Sequence, residues 1–184
     1  MIETDRLILR RWRAADLAPF AAINADPEVM RFFPDLLPEA QTETMISRIQ
    51  AHFAAHGFGF GAVERRSDGA LLGMVGLKWV TPEAPCAPAV EVGWRLGRPY
   101  WGAGYATEAA RAWIDWGFAR LGLPEIVACV APENRASQAV MARLGMTRDP
   151  GRDFEHPAVP EGHWLRPHWL FALTAPSPVK VRFA

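Results

Sequence analysis

The hydrophobic and polar positions of this chain follow two different periods, which predicts a mixture of strands and helices. Apolar, β-branched runs typical of strands cover residues 7–12, 58–65, 71–80, 90–96, 125–131 and 169–174. Apolar residues at helical spacing cover residues 39–56, 106–120 and 134–144. Strands come first and a strand–helix–strand–helix order follows, which favours an α/β (α+β) fold and one domain over residues 1–184.

Turn-forming residues separate the predicted elements. The Ser-Asp-Gly sequence at residues 67–69 lies between two strands and predicts a β-hairpin. Asp16 precedes the apolar residues of a short helix and is predicted to be its N-cap. Gly57 and Gly145 follow two of the longer helices and are predicted to end them. Three prolines within residues 81–88 predict a loop.

Charge and cysteine content narrow the functional classes. The 184 residues include 20 Lys and Arg and 20 Asp and Glu, so no net charge favours nucleic acid or an anionic membrane as a partner. The polar N-terminus is not typical of a signal peptide, and no apolar run reaches membrane-spanning length, which predicts a cytoplasmic protein. Cys86 and Cys129 are far apart and lack metal-ligand spacing, which is typical of buried or unreactive thiols in a reducing compartment.

A glycine-rich turn links the strand at 90–96 to the helix at 106–120. Gly102 and Gly104 stand one residue apart, and a glycine turn before a helix presents several unpaired backbone N–H groups. The helix dipole adds positive potential there, so the turn suits a phosphate or pyrophosphate. A dinucleotide fingerprint would need a third glycine where Thr107 stands, and no Gly-Lys-Ser/Thr sequence of a P-loop follows.

The turn belongs to a set of motifs that occur in order along almost the whole chain. They are ETDRLILR at 3–10, DPEVM at 26–30, YWGAGYATEA at 100–109, NRAS at 134–137 and LGM at 144–146. In this combination they resemble the GNAT N-acetyltransferase superfamily, and within it the ribosomal-protein N-terminal acetyltransferases. The resemblance implies a single GNAT-like domain with helices on a mixed, mostly antiparallel central sheet. That sheet is splayed between its fourth and fifth strands, at residues 90–96 and 125–131.

The resemblance also implies acetyl-CoA as the donor and a primary amine, on a protein N-terminus or a small molecule, as the acceptor of direct transfer. The resemblance implies that the CoA pyrophosphate is bound by backbone N–H groups of Gly102, Ala103, Gly104, Tyr105, Ala106 and Thr107. It implies that the pantetheine arm pairs with the main chain of Trp94, Arg95 and Leu96. The side chain of Asn134 is implied as a further partner of the pantetheine. Gly93 is expected to mark a bulge where the strands separate. Asn134 and Ser137 have a second interpretation, as caps of the following helix.

Two residues are the catalytic candidates. A primary amine is charged at neutral pH, so a base must remove a proton before direct transfer. Glu91 is the candidate base, because some superfamily members place a glutamate on this strand; the alternative is that Glu91 faces solvent or pairs with an arginine. Ser137 is the candidate proton donor to the CoA sulfur. Many superfamily members use a tyrosine where this chain has Met141, so either Ser137 or water takes that role.

The tail and the first helices bear on the acceptor. His156, His163 and His168 match no zinc spacing, so no metal is expected, and His156 or His163 is an alternative base to Glu91. In the family the acceptor site is built by the segment that is residues 26–38 here, whose apolar content suggests an acceptor with an apolar body. The aromatic residues expected to line this cleft are Trp12, Phe32, Phe33 and Trp79.

A second functional class competes with the enzyme. The replacement of the usual tyrosine by Met141, together with the absence of a certain base, is also compatible with a non-catalytic domain that binds or senses acyl-CoA. The family often forms homodimers, but the sequence does not decide the oligomeric state.

Overall fold

A computed structural model describes residues 1–82 and 84–176. The strands are β1 (Ile2–Glu3), β2 (Leu7–Arg10), β3 (Phe60–Arg65), β4 (Leu71–Trp79), β5 (Val90–Leu96), β6 (Glu125–Val130), β7 (Thr147–Arg148), β8 (Phe154–Glu155) and β9 (Pro167–Thr174). The helices are α1 (Leu17–Asn24), α2 (Pro27–Met30), α3 (Glu39–His56), α4 (Tyr105–Leu121) and α5 (Arg135–Leu144). In the part of the chain that is described, no helix is long and apolar enough to cross a membrane.

The strands form one mixed sheet in the order β1-β2-β3-β4-β5-β6-β9-β7, with β8 paired to β9. Every neighbouring pair is antiparallel except β5 and β6, which α4 connects as a parallel crossover. Strand β4 is buried along nearly its whole length, because α4 packs against it and α1 also contacts it. Gly117 allows α4 to lie close to the sheet, since a Cβ there would come within 2.7 Å of Leu77 Cδ1.

Strands β5 and β6 separate soon after they meet. Their register contains one pair, Glu91 with Val127. In contrast, β5 pairs with β4 along its full length, from Val90 opposite Trp79 to Leu96 opposite Gly73. The edge of β5 that faces β6 is therefore open after Glu91. This confirms the mixed, mostly antiparallel sheet with a splay between the strands that the sequence analysis counts as fourth and fifth.

The expected bulge at Gly93 is wrong. Gly93 pairs with Gly76 in an unbroken register, and the irregularity of this region lies instead between Val63 and Glu64 on β3. The glycine has a steric reason, because a Cβ at position 93 would press on the Phe60 ring at 3.1 Å. The splay thus needs no distortion of β5 itself.

The prediction that the Asp16 side chain caps the short helix α1 is also wrong. Asp16 stands at the N-cap position of α1, but its side chain makes no cap hydrogen bond to that helix. It accepts two hydrogen bonds from the Arg10 guanidinium, at 2.6 and 2.9 Å, and one from the Arg13 backbone N–H. Burial opposes ionisation of Asp16, but these hydrogen bonds outweigh it and lower its pKa. A buried ion pair has replaced the cap.

Trp12 does not line a cleft. Strand β2 ends at Arg10, and the Trp12 side chain is buried against Phe20 with ring centroids 4.6 Å apart. Its indole N–H donates to the Phe60 carbonyl oxygen at 2.9 Å. Trp12 is therefore a core residue that ties the segment after β2 to β3.

Candidate active site

The glycine turn has the backbone conformation that its sequence predicts. Gly102 and Gly104 have φ values of +75° and +82°, in the left-handed region that side chains disfavour, and α4 begins directly after Gly104. Within the described chain, none of the backbone N–H groups of residues 102–107 donates to another backbone group or to a side chain. Residues 102–104 are exposed. The turn therefore presents a group of free donors at the N-terminus of a long helix, which suits a pyrophosphate.

Arg6 holds this turn in place, a role that the sequence analysis missed. Its guanidinium donates to the Ala103 carbonyl oxygen at 3.0 Å and to Glu108 at 2.7 Å, and it lies over the Tyr105 ring. Burial of Glu108 is outweighed by hydrogen bonds from Thr4 and Arg6, which lower its pKa. The signal available in the sequence was the place of Arg6 in the ETDRLILR motif. Arg6 joins the first loop of the chain to the start of α4.

The open edge of β5 runs from Glu91 toward the glycine turn. Trp94, Arg95 and Leu96 lie on this stretch and have strand partners on the β4 side only. Five residue steps in a strand make the edge about 17 Å long. The Leu96 carbonyl oxygen accepts from the Trp101 indole N–H at 2.7 Å. The other main-chain groups that face away from β4 can pair with an extended amide-containing chain as an added strand would. The pantetheine arm of CoA is such a chain, so these residues fit the group.

Asn134 and Ser137 lie where α5 begins, beside this opening. The Asn134 side-chain oxygen accepts from the Ser137 backbone N–H at 3.1 Å, so Asn134 is the N-cap of α5. Its amide NH₂ has no acceptor among the described residues and is left for another partner. The Ser137 hydroxyl oxygen accepts from the Trp94 indole N–H at 3.3 Å, which leaves its own hydrogen available. Capping and ligand binding are thus compatible here.

Glu91 lies at the other end of the opening, half-buried with its side chain 22% exposed. Its partner is Lys78, the residue opposite on β4, whose Nζ is 3.3 Å from Glu91 Oε2. The alternative that Glu91 pairs with a basic residue is thus observed, with a lysine in place of an arginine. The carboxylate is exposed enough to exchange this partner for another amine.

Two histidines of the tail lie against each other. His156 and His168 have ring centroids 4.9 Å apart, and burial lowers the pKa of both. The charge of Glu91 opposes this lowering at both rings. His163 lies apart, exposed beside Trp164. Among the described residues, no three His, Cys, Asp or Glu side chains are arranged to hold a metal ion.

The side chain of Arg95 is a buried cation without an anionic partner in the described chain. It is 7% exposed, donates to Asn24 Oδ1 at 2.8 Å and stacks 4.0 Å from the Phe33 ring centre. Its Nε has no hydrogen-bond partner. Burial lowers the pKa of Arg95 to about 10, so the group is still charged at neutral pH. The family resemblance implied a role only for the main chain of this residue.

Apolar residues of the segment 26–38 contact Arg95 and the tail. Phe32 packs against a small cluster from β6 and the tail, and its ring meets Trp164 at 6.0 Å. Phe33 is 36% exposed and lies over Arg95, so it is available to line a cleft. Trp79 does not line it as predicted, because it follows Lys78 on β4 and its side chain packs against Phe58 on the opposite face of the sheet. Met141, at the position of the usual tyrosine, is 2% exposed and lies in the core. Its thioether has no proton to donate.

Comparisons with known proteins agree with this geometry. The family model described as Acetyltransferase (GNAT) domain matches residues 6–147. The uncharacterised Bacillus subtilis protein YkkB is 33% identical over 144 residues, which cover 78% of this chain and 83% of YkkB. The Bacillus subtilis N-acetyltransferase YnaD, also uncharacterised, is 27% identical over 173 residues, which cover 94% of this chain and 95% of YnaD.

A solved structure extends the likeness to three dimensions. The crystal structure of an acetyltransferase from Agrobacterium tumefaciens str. C58 has a TM-score of 0.76 and 29% identity, covering 95% of this chain and 94% of that chain. The fold is thus that of an enzyme family, which favours a catalyst over the non-catalytic alternative. The chain belongs to the GNAT family, whose members are enzymes that transfer an acetyl group from acetyl-CoA.

Proposed function

We propose that this enzyme transfers the acetyl group of acetyl-CoA directly to a primary amine, on a small molecule or a protein N-terminus. The observation that carries the proposal is the open edge of β5, which has free backbone donors at one end and the Glu91 carboxylate at the other. A ligand that lies along this edge has its phosphates at the glycine turn. Its thioester then reaches the splay beside Glu91.

The donor side of the site consists of the glycine turn, the open edge of β5, and two side chains of α5. The backbone N–H groups of residues 102–107 bind the pyrophosphate, and the main chain of residues 94–96 pairs with the pantetheine. Asn134 donates its free amide hydrogens to the pantetheine. These assignments rest on unpaired donors at the turn, on a strand edge that has no partner strand after Glu91, and on the orientation of the Asn134 cap.

The acceptor side consists of Glu91, Lys78, His156, His168 and the buried Arg95. We assign Glu91 as the base that removes a proton from the incoming ammonium group. Support comes from Lys78, whose ammonium nitrogen already lies 3.3 Å from Glu91 Oε2 and so shows that a primary ammonium fits there. The two histidines have lowered pKa values and are neutral at pH 7, so either can pass the proton to solvent.

Ser137 is assigned to the leaving group. Its hydroxyl accepts from Trp94, and the hydroxyl hydrogen is free to bond the CoA sulfur as thiolate character develops there. Met141 cannot take this part, because it is buried and has no acidic hydrogen. The proton that finally neutralises the thiolate comes from Ser137 or from water.

The acceptor is proposed to have an apolar body next to its amine. Phe33, which lies over Arg95, and Trp164, which meets the Phe32 ring, have exposed faces that can contact such a body. Burying one aromatic ring of the acceptor contributes about 2 kcal/mol of binding. A peptide N-terminus with an apolar first side chain and a small aryl-alkyl amine both fit this description.

An acceptor panel tests the proposal. The purified enzyme is incubated with acetyl-CoA and 2-phenylethylamine, a tripeptide, spermidine or an aminoglycoside, and the acetylated amine is detected by mass spectrometry. We expect 2-phenylethylamine or the tripeptide to be acetylated faster than the two polycations. CoA binding by calorimetry without acetylation of any amine would instead support the acyl-CoA-sensing alternative.

A further inference from the structure

Cys86 and Cys129 are the two cysteines of the chain, and the fold brings them into contact although they are 43 positions apart. Cys86 lies in the loop between β4 and β5, and Cys129 lies on β6. Their sulfur atoms are 3.9 Å apart, and the Cys129 thiol donates to Cys86 Sγ. Both are free thiols and both side chains are half-buried, so a small oxidant can reach them. The sequence interpretation of unreactive thiols did not anticipate this contact.

The contact makes the two thiols chemically different. The hydrogen bond from Cys129 lowers the pKa of Cys86, so this thiol ionises more readily than an ordinary cysteine. The same hydrogen bond, together with burial, raises the pKa of Cys129. Because the thiolate is the form that reacts with oxidants, Cys86 is the nucleophile of the pair. Cys129 is the adjacent thiol that resolves the oxidised intermediate.

The thiol pair adjoins the splay. Cys129 stands two positions after Val127, the residue of β6 that pairs with Glu91. The loop that carries Cys86 continues directly into β5. A bond between the two sulfurs therefore acts on the segment that positions Glu91.

We propose that Cys86 and Cys129 form a reversible dithiol–disulfide site, at which oxidation by a peroxide slows acetyl transfer. The slowing rests on the proposed function, whereas disulfide formation does not. The Cys86 thiolate attacks one oxygen of hydrogen peroxide, the O–O bond breaks, and the hydroxide that leaves takes up a proton to become water. The Cys129 sulfur then loses its proton and attacks the Cys86 sulfenic acid, whose hydroxyl leaves as a second water. Two thiols lose two electrons, and one peroxide yields two waters.

The geometry explains why the bond affects transfer. The sulfurs must move from 3.9 Å to about 2 Å, so the loop or β6 shifts, or the side chains rotate. A displacement of about 1 Å at a catalytic group can cost about 100-fold in rate. We therefore expect the oxidised enzyme to lose most of its activity. A small dithiol such as dithiothreitol restores the two thiols and the rate.

Thiol counting and mass spectrometry test the site itself. The enzyme is treated with hydrogen peroxide at pH 7, the peroxide is removed, and free thiols are counted before a non-reducing digest. We expect both thiols to disappear together, with one cross-linked peptide pair that has lost two hydrogen atoms. In Cys129→Ser, a sulfenic-acid reagent is expected to label Cys86. The proposal would be overturned if both thiols persist or if cross-links form only between two molecules. It would also be overturned if the sulfenic-acid reagent labels Cys129 in Cys86→Ser faster than it labels Cys86 in Cys129→Ser.

Acetylation of 2-phenylethylamine, measured by mass spectrometry of the product, tests the consequence. We expect the oxidised wild type to lose most of its rate and to regain it with dithiothreitol, while peroxide-treated Cys86→Ser/Cys129→Ser keeps the rate of its untreated form. A cross-linked enzyme with an unchanged rate would overturn the regulatory part. An absence of product before any oxidation would count against the proposed function, and the thiol result would still stand.

Discussion

The donor side and the acceptor side of the site are built from different parts of the chain. The donor side uses mainly backbone groups, and most of them come from the continuous segment 92–107. The acceptor side uses side chains that β4, β5, β8 and β9 bring together. A backbone site depends on conformation and tolerates many side chains, whereas a side-chain site depends on individual functional groups. Mutations that change the backbone conformation should therefore affect the donor side most. Mutations that remove a single functional group should affect the acceptor side most.

The largest effect is expected from removing the carboxylate of Glu91. Without the base, only the neutral fraction of the amine reacts, so Glu91→Gln should lower kcat/KM for the amine about 100-fold near pH 7. The residual rate should rise about tenfold per pH unit up to the pKa of the amine, because that fraction rises in proportion. The Kd for CoA should not change. Rates from pH 6 to 10 and calorimetry with CoA measure both.

Lys78→Gln is the matched control for this variant. It removes the other half of the 3.3 Å ion pair but keeps the carboxylate. We expect its kcat/KM to stay within about threefold of wild type, since an ion pair with 41% and 22% exposed side chains contributes about 1 kcal/mol or less. Equal losses in the two variants would show that Glu91 acts through the ion pair and is not the base.

The next effect concerns the backbone of the donor side. Gly104→Ala should raise the Kd for CoA about tenfold, because alanine at φ +82° costs about 1–2 kcal/mol and favours a conformation that turns the N–H groups away. Gly122→Ala is the control at the opposite end of α4, where φ is +61° and a Cβ would meet no atom within 4 Å. It should lose similar stability and bind CoA normally. Equal CoA affinities for the two variants, by calorimetry, would contradict the assignment of the turn.

A smaller effect is expected in the pH dependence of folding stability, which two histidines of the acceptor side influence. Burial lowers the pKa of His156 and His168 in the folded protein, so below about pH 6.5 the unfolded chain binds protons that the folded chain does not. This contribution to stability is complete above that pH and is lost as the pH falls further. Urea unfolding at pH 7.5 and 5.5 should show it.

The double variant His156→Gln/His168→Gln should have a smaller loss of stability between these two pH values than wild type. His163→Gln changes an exposed residue of the same tail and is the control. An unchanged pH dependence in the double variant would mean that other groups cause the acid destabilisation.

The sequence predicts the backbone conformation of the site better than it predicts the side-chain contacts. The left-handed turn at Gly102 and Gly104 was predictable, because the required backbone conformation is encoded by glycine at the position itself. The splay came from the family resemblance, since no local pattern reports how two distant strands diverge. The bulge at Gly93 was wrong because a small residue also serves a close approach, here to Phe60.

Side-chain contacts between distant segments were the least predictable part. Asp16 met the local rule for a cap, but Arg10 on the preceding strand offered a stronger charged partner. The contact of His156 with His168 depends on the pairing of β8 with β9, and the contact of Cys86 with Cys129 depends on where a loop crosses β6. Such contacts are set by sheet register and loop path, which single-sequence periodicity does not specify.

The smallest effect is expected at Ser137, which contributes both a backbone group and a side chain to the site. Its backbone N–H completes the cap from Asn134, and its hydroxyl accepts from Trp94 and is proposed to bond the departing sulfur. Ser137→Ala keeps the cap, so CoA binding should change little. The rate constant kcat should fall about threefold to tenfold, the size expected for one neutral hydrogen bond of about 1 kcal/mol. Ser137→Thr keeps a hydroxyl and should recover most of kcat. A loss of melting temperature with unchanged kcat in Ser137→Ala would reduce the residue to a support for Trp94, and water would then be the group that protonates the thiolate.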